Sequence, residues 1–161
     1  MRALFCSVVL GLGFQTVNGQ ESSLVPGLLR EYRSTTADTA RSRLLSQISF
    51  NLINADLDSA KLTGEQALAL AARINDPKAL CDAHHSLGWL AATQGDLDSA
   101  EVHMQKALTL SRRTGGSGNS APALGNLGWL AEKRGDDVGA LKYFIEALGE
   151  AEAAQDSSSM A

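Results

Sequence analysis

An all-α, right-handed solenoid of about three helical hairpins is the fold this 161-residue sequence predicts. Three observations predict it. Ala and Leu are abundant while aromatics make up only 5% of the chain, a balance that favours helices over a sandwich or barrel. Apolar residues reach 44%, enough for a packed core. A self-similarity with a period of forty residues runs through most of the chain, and such periods mark repeat architectures.

Residues 1–19 stand apart. Met1-Arg2 is followed by an apolar stretch to Phe14, and Gln15 to Gly19 then turns polar and ends in a small residue. That order of charge, apolar core and small residue fits a secretory signal, with cleavage expected near Gly19-Gln20, and the stretch is too short to span a bilayer. A buried N-terminal helix is the alternative. Export to the periplasm or the extracellular space follows from the signal reading. Cys6 would leave with the signal, so Cys81 would be the sole cysteine and no internal disulfide could form. No later segment is long and apolar enough to cross a membrane.

Residues 20–37 form a lead-in that carries a short helix, and residues 38–161 form the array, in units 41–80, 81–120 and 121–160. The units align without gaps. Leu87-Gly88-Trp89-Leu90-Ala91 meets Leu127-Gly128-Trp129-Leu130-Ala131, and Asp56-Leu57-Asp58-Ser59-Ala60 meets an identical run from Asp96 to Ala100. In the middle unit Leu80, Ala83, Leu87, Leu90 and Ala91 recur at helical spacing, then Gly95-Asp96 breaks the pattern. Leu97, Ala100, Met104, Ala107 and Leu108 mark the second helix. Asp56, Asp96 and Asp136 are placed to cap the second helices. Gly88 is expected to face Ala100, and Gly128 to face Ala140, so that each hairpin closes tightly. Thr114 to Ser120 reads as a glycine-rich connector, with Pro122 in the first turn of the helix that follows.

The pattern resembles the tetratricopeptide repeat. The residues that carry it are His84, Leu87, Gly88, Ala91, Ala100, Met104 and Ala107 in the middle unit. Leu124, Leu127, Gly128, Ala131, Ala140, Phe144 and Ala147 carry it in the third, and a degenerate set (Leu44, Gln47, Ile48, Asn51, Ala60, Gly64, Ala67) in the first. The period exceeds the usual one of about 34 residues. Forty-residue forms resemble the exported N-terminal arrays of bacterial sensor histidine kinases and related regulators. The resemblance implies a non-catalytic scaffold that binds a protein or peptide, with no cofactor. An independent scaffold in envelope assembly is the rival within the binding class.

By the same resemblance Trp89 and Trp129 face the ligand groove, with Asp82, His85, Ser86 and Thr93 beside the first and Asn126 and Lys133 beside the second. The alternative is that each tryptophan packs between neighbouring units. An enzyme reading would need Cys81, His84 and His85, which lie on about one helical turn. Two of them could share a face as metal ligands, but a structural zinc site wants four, and only His103 remains among the histidines. The packed reading has His84 in the core and His85 facing solvent. No nucleophile elbow or phosphate loop appears. The net charge of −4 argues against a nucleic-acid surface. By the repeat offset, residues 151–161 correspond to 111–121, so the chain is expected to stop where a fourth unit would begin. Its last apolar face is then uncovered and open to a partner or to self-association.

Overall fold

The computed structural model describes the backbone of residues 24–114 and 117–159, and the side chains of all of these except 117–119 and 154–159. The expected signal, residues 1–19, lies outside the described residues. Among the described residues the chain forms seven helices and no strand: α1 (Leu24–Ser34), α2 (Asp38–Leu52), α3 (Leu57–Ile74), α4 (Pro77–Thr93), α5 (Leu97–Arg113), α6 (Ser117–Lys133) and α7 (Asp137–Ser159). α2/α3, α4/α5 and α6/α7 are the three hairpins, and α1 packs on α2 as the lead-in helix. None of these helices is long and apolar enough to cross a membrane.

The caps form as the sequence implies. Asp56 accepts from the Ser59 amide at 3.1 Å, Asp96 from the Ser99 amide at 3.0 Å and Asp136 from the Gly139 amide at 2.9 Å. The Ser59 and Ser99 side chains first, and these amides after them, hold the Asp56 and Asp96 carboxyls below their ordinary range, because the charged form is the better acceptor. Asp76 caps α4 through the Lys78 and Ala79 amides, just before Pro77 at the helix start. Gly95 and Gly135, at φ 81° and 78°, turn the second and third hairpins in a conformation that disfavours residues with a Cβ.

Three boundaries differ from the sequence reading. The unit edges drawn at 41, 81 and 121 fall inside α2, α4 and α6, which begin at Asp38, Pro77 and Ser117. The expected connector Thr114 to Ser120 is helical from Ser117 onward, and Pro122 sits in the second turn of α6, where it has no amide to give the Gly118 carbonyl. Its ring is exposed. At the other end, residue 154, which the repeat offset aligns with Thr114 of the connector, lies within α7, and the helix continues to Ser159.

Each hairpin closes around small residues. A Cβ on Gly88 would lie 2.9 Å from Met104 Cγ and 3.4 Å from the Ala100 carbonyl oxygen, and one on Gly128 would enter the Phe144 ring at 2.7 Å. Gly88 therefore meets Ala100 as expected, with Met104 pressed still closer. In the first unit Gly64 does the same work within the hairpin and between units, since a Cβ there would lie 2.8 Å from both Ser49 Oγ and Leu87 Cδ2. Ala60, Ala67, Ala100 and Ala107 have no exposed surface, and Ala140 very little. The core runs through the stack rather than within each hairpin. Met104 and Leu108 of the middle unit share a cluster with Leu124, Leu127 and Leu130 of the third. Leu87 and Leu90 join Ile48, Leu52 and Ala60 of the first, with Val25 of α1. Ala147, expected as a packing position, lies half-buried against the same core.

Candidate functional site

The site candidates lie on α4 and α6, the first helices of the second and third hairpins. On α4, Lys78, Asp82, His85, Trp89 and Thr93 recur at steps of three and four, so they share one face. On α6 the matching face carries Pro122, Asn126, Trp129 and Lys133. Two contacts join the rows. Asn126 Nδ2 lies 2.8 Å from His85 Nε2, and the Trp89 and Trp129 rings meet with centroids 5.2 Å apart at an interplanar angle of 43°. The His85 imidazole also stacks on Phe50 of α2, with centroids 6.0 Å apart. One chain of side-chain contacts thus crosses all three hairpins.

Both tryptophans are half-buried. Trp89 packs against the clusters on either side of it, and Trp129 against the third-unit cluster. The Lys133 ammonium stands over the Trp129 ring, 5.3 Å from its centroid. Thr93 is exposed, and its hydroxyl donates back to the Trp89 carbonyl. Ser86 is not presented to the groove. It is 2% exposed and its hydroxyl donates to the Ala83 carbonyl, because one helical step from His85 turns it into the stack. His85 does not face solvent either. Phe50 and Asn126 enclose it, and burial lowers its pKa.

Beside these rows lies a cavity of about 220 Å³ lined by Lys78, Cys81, Asp82, His85, Ala107, Ser111, Thr114, Pro122 and Ala123. It sits where the N-terminal half of α4, the end of α5 and the start of α6 meet. Burial raises the pKa of Asp82, while the nearby Arg43 and Lys78 charges oppose that rise. The cavity therefore offers one half-buried carboxylate, one ammonium, two hydroxyls, a thiol and an imidazole on an otherwise small-residue wall.

The thiol and imidazoles of the enzyme reading point three different ways. Cys81 Sγ donates to the Ala107 carbonyl at 3.4 Å, and its pKa is pushed up to about 11 by burial and then by the Asp82 charge. A thiol so placed is a poor nucleophile. His84 pairs with His103 across the hairpin, Nδ1 to Nδ1 at 2.9 Å, and His85 pairs with Asn126. Among the described residues no group of three or more His, Cys, Asp or Glu side chains is placed to hold a metal ion.

Sequence reasoning missed Phe50 and Lys78, and the pairing of His103 with His84. Phe50 stands where the later units have Leu90 and Leu130, so an aromatic departure from the register was a readable signal. His103 was readable as well. The pairing that sets Gly88 against Ala100 brings residues 84 and 103 almost opposite each other.

A stack of helical hairpins with an aligned side-chain row along its first helices defines a helical-repeat array. The tetratricopeptide-repeat family model matches residues 81–153, within the second and third hairpins, and that match together with the fold supports a tetratricopeptide-repeat protein. Among solved structures the chain is similar to BtubC (BKLC) from P. vanneervenii, with a TM-score of 0.63 and 23% identity. The alignment covers 81% of this chain and 54% of that one, so the likeness is one of fold. No curated protein matches the sequence.

Proposed function

We propose that the chain is a non-catalytic scaffold that binds a protein or peptide along the first-helix face of its second and third hairpins. The observation that carries this reading is the pair of aligned rows on α4 and α6, joined by the His85–Asn126 and Trp89–Trp129 contacts and flanked by the 220 Å³ cavity. A ligand backbone would run along the rows. A ligand side chain would enter the cavity between Lys78 and Asp82. Exposed Lys133 and half-buried Asp82 would supply charge contacts at either end. Tetratricopeptide repeats suggest a protein-binding scaffold, and the family is typically non-catalytic, which supports the class. In the same reading the chain is exported after removal of residues 1–19, serves as an exported sensory array of a signalling protein, and associates with itself through its third unit.

The test begins with peptides selected from a random library on the immobilised full chain. Asp82→Asn and Lys133→Glu should each weaken the selected peptides at least tenfold, as for groups that touch the ligand, with thermal midpoints unchanged. Lys61→Glu, on the exposed side of α3, should have no effect. Peptides that bind all three variants alike, or a library that yields none, would contradict the proposed face.

A further inference from the structure

The outward face of α7 carries Val138, Leu141, Ile145 and Leu148, each 59–67% exposed, with Phe144 beside them at 42%. The exposed large apolar residues elsewhere (Leu24, Phe50, Leu57 and Val102) are scattered over α1, α2, α3 and α5. The repeat register shows what this face does in the preceding unit. The residues forty positions earlier on α5 are Asp98, Glu101, Gln105 and Leu108. They meet the third hairpin mostly through polar contacts: Asp98 and Glu101 with Arg134, and Gln105 with the Tyr143 hydroxyl. Leu108 enters the shared core. In the first unit the same positions hold Asp58, Lys61, Glu65 and Leu68. The third unit replaces three polar positions with Val, Leu and Ile. A further unit stacked in the manner of the first two would bring polar partners to an apolar wall. Moreover, α7 runs on through the positions where α3 and α5 end.

The stripe is self-matching. Its spacing is three, four, three, which reads the same in both directions. Two antiparallel copies of α7 crossing near residue 143 set Val138 opposite Leu148 of the other copy and Leu141 opposite Ile145. This is the condition for an isologous two-fold interface, in which one patch serves both sides. α7 is 23 residues long, about 34 Å at 1.5 Å per residue. Two such stripes in contact would bury on the order of 1,000 Å², the lower bound for a specific interface. We propose that the α7 stripe pairs with the same stripe of a second copy of this chain, making an antiparallel two-fold dimer.

Sedimentation equilibrium of the full chain over about a hundredfold dilution reads the outcome directly, because dimerisation follows mass action. The wild-type chain should shift from dimer to monomer on dilution. Leu141→Asp and Ile145→Asp should each be monomeric throughout, with the thermal midpoint of the wild-type monomer, since neither side chain lies in the fold's core. Val102→Asp, which removes a lone exposed apolar residue on α5, should dimerise as wild type. In a background with both Cys6→Ser and Cys81→Ser, Leu141→Cys with Ile145→Cys should cross-link two chains on oxidation. A wild-type monomer at every concentration, open-ended oligomers, or a dimer that survives both aspartate substitutions would overturn the proposal.

Discussion

Trp89 and Trp129 stand forty residues apart in sequence and meet with their ring centroids 5.2 Å apart, so the repeat period is written into a direct contact between successive hairpins. The pair is structural as well as displayed, for each indole also packs against buried clusters. Truncating either to Ala should therefore cost stability, about 1–3 kcal/mol for a half-buried indole. The two losses should not add. A double-mutant cycle should return a coupling of about 0.5–1.5 kcal/mol, the usual worth of an aromatic pair. Strict additivity in urea melts would mean that the rings do not touch in solution.

The glycines give a sharper test of packing. Gly64 leaves no room for a methyl, with Leu87 Cδ2 and Ser49 Oγ both at 2.8 Å from where its Cβ would lie. The Ser49 hydroxyl is held by its bond to the Ala60 carbonyl, so it cannot yield freely. Gly64→Ala should cost about 1–3 kcal/mol. Gly125, inside α6, has nothing within 4 Å of that point. Gly125→Ala should stabilise by about 0.5–1 kcal/mol, the helix preference for Ala over Gly. Thermal midpoints moving in the same direction for both variants would place the register wrongly.

Acid should loosen the hairpin formed by α4 and α5. The His84 pKa is drawn down to about 4, by burial first, then by His103 and Lys106. That of His103 is lowered by burial and Lys106. Both imidazoles are thus kept neutral in the fold, while the unfolded chain protonates near 6.5. The unfolded state binds more protons in between, so stability is full above 6.5 and is lost as the pH falls toward 4. Thermal midpoints measured across that window should drop, and His84→Gln should make the drop shallower. Equal slopes for the variant and the wild type would remove His84 from the cause.

The junction between the second and third hairpins is held by its apolar core more than by its ion pairs. Arg134 reaches Asp98 and Glu101, and Arg112 reaches Glu146 and Glu150, all near the surface. Such pairs contribute about 1 kcal/mol or less each. Leu127 is 2% exposed between the two units. Leu127→Ala should cost about 2–5 kcal/mol, and Arg134→Gln less than about 1. Urea midpoints in the reverse order would locate the stability of the junction in its charges.

Much of the fold was legible because it is repeated. A residue such as Asp96 caps a helix for local reasons, and the same reasons act forty residues earlier and later. The packing glycine Gly88 was legible for the same cause. What was missed depends on contacts between units, which periodicity does not specify. His85 looks solvent-facing on its own helix, yet Phe50 and Asn126, from two other helices, enclose it. Ser86 looks like its groove neighbours by number, but a single 100° step buries it. The start of α6 was misread because glycines and serines before Pro122 signal a loop, whereas the helix already begins at Ser117.

The most direct test of the central claim is a hydrogen-exchange footprint of the full chain with and without a library-selected peptide. The account predicts added protection in α4 and α6, around residues 78–93 and 122–133, with α5 and α7 unchanged at their exposed faces. Protection confined to α5 or α7, or spread evenly along the chain, would contradict a ligand face built on the first helices.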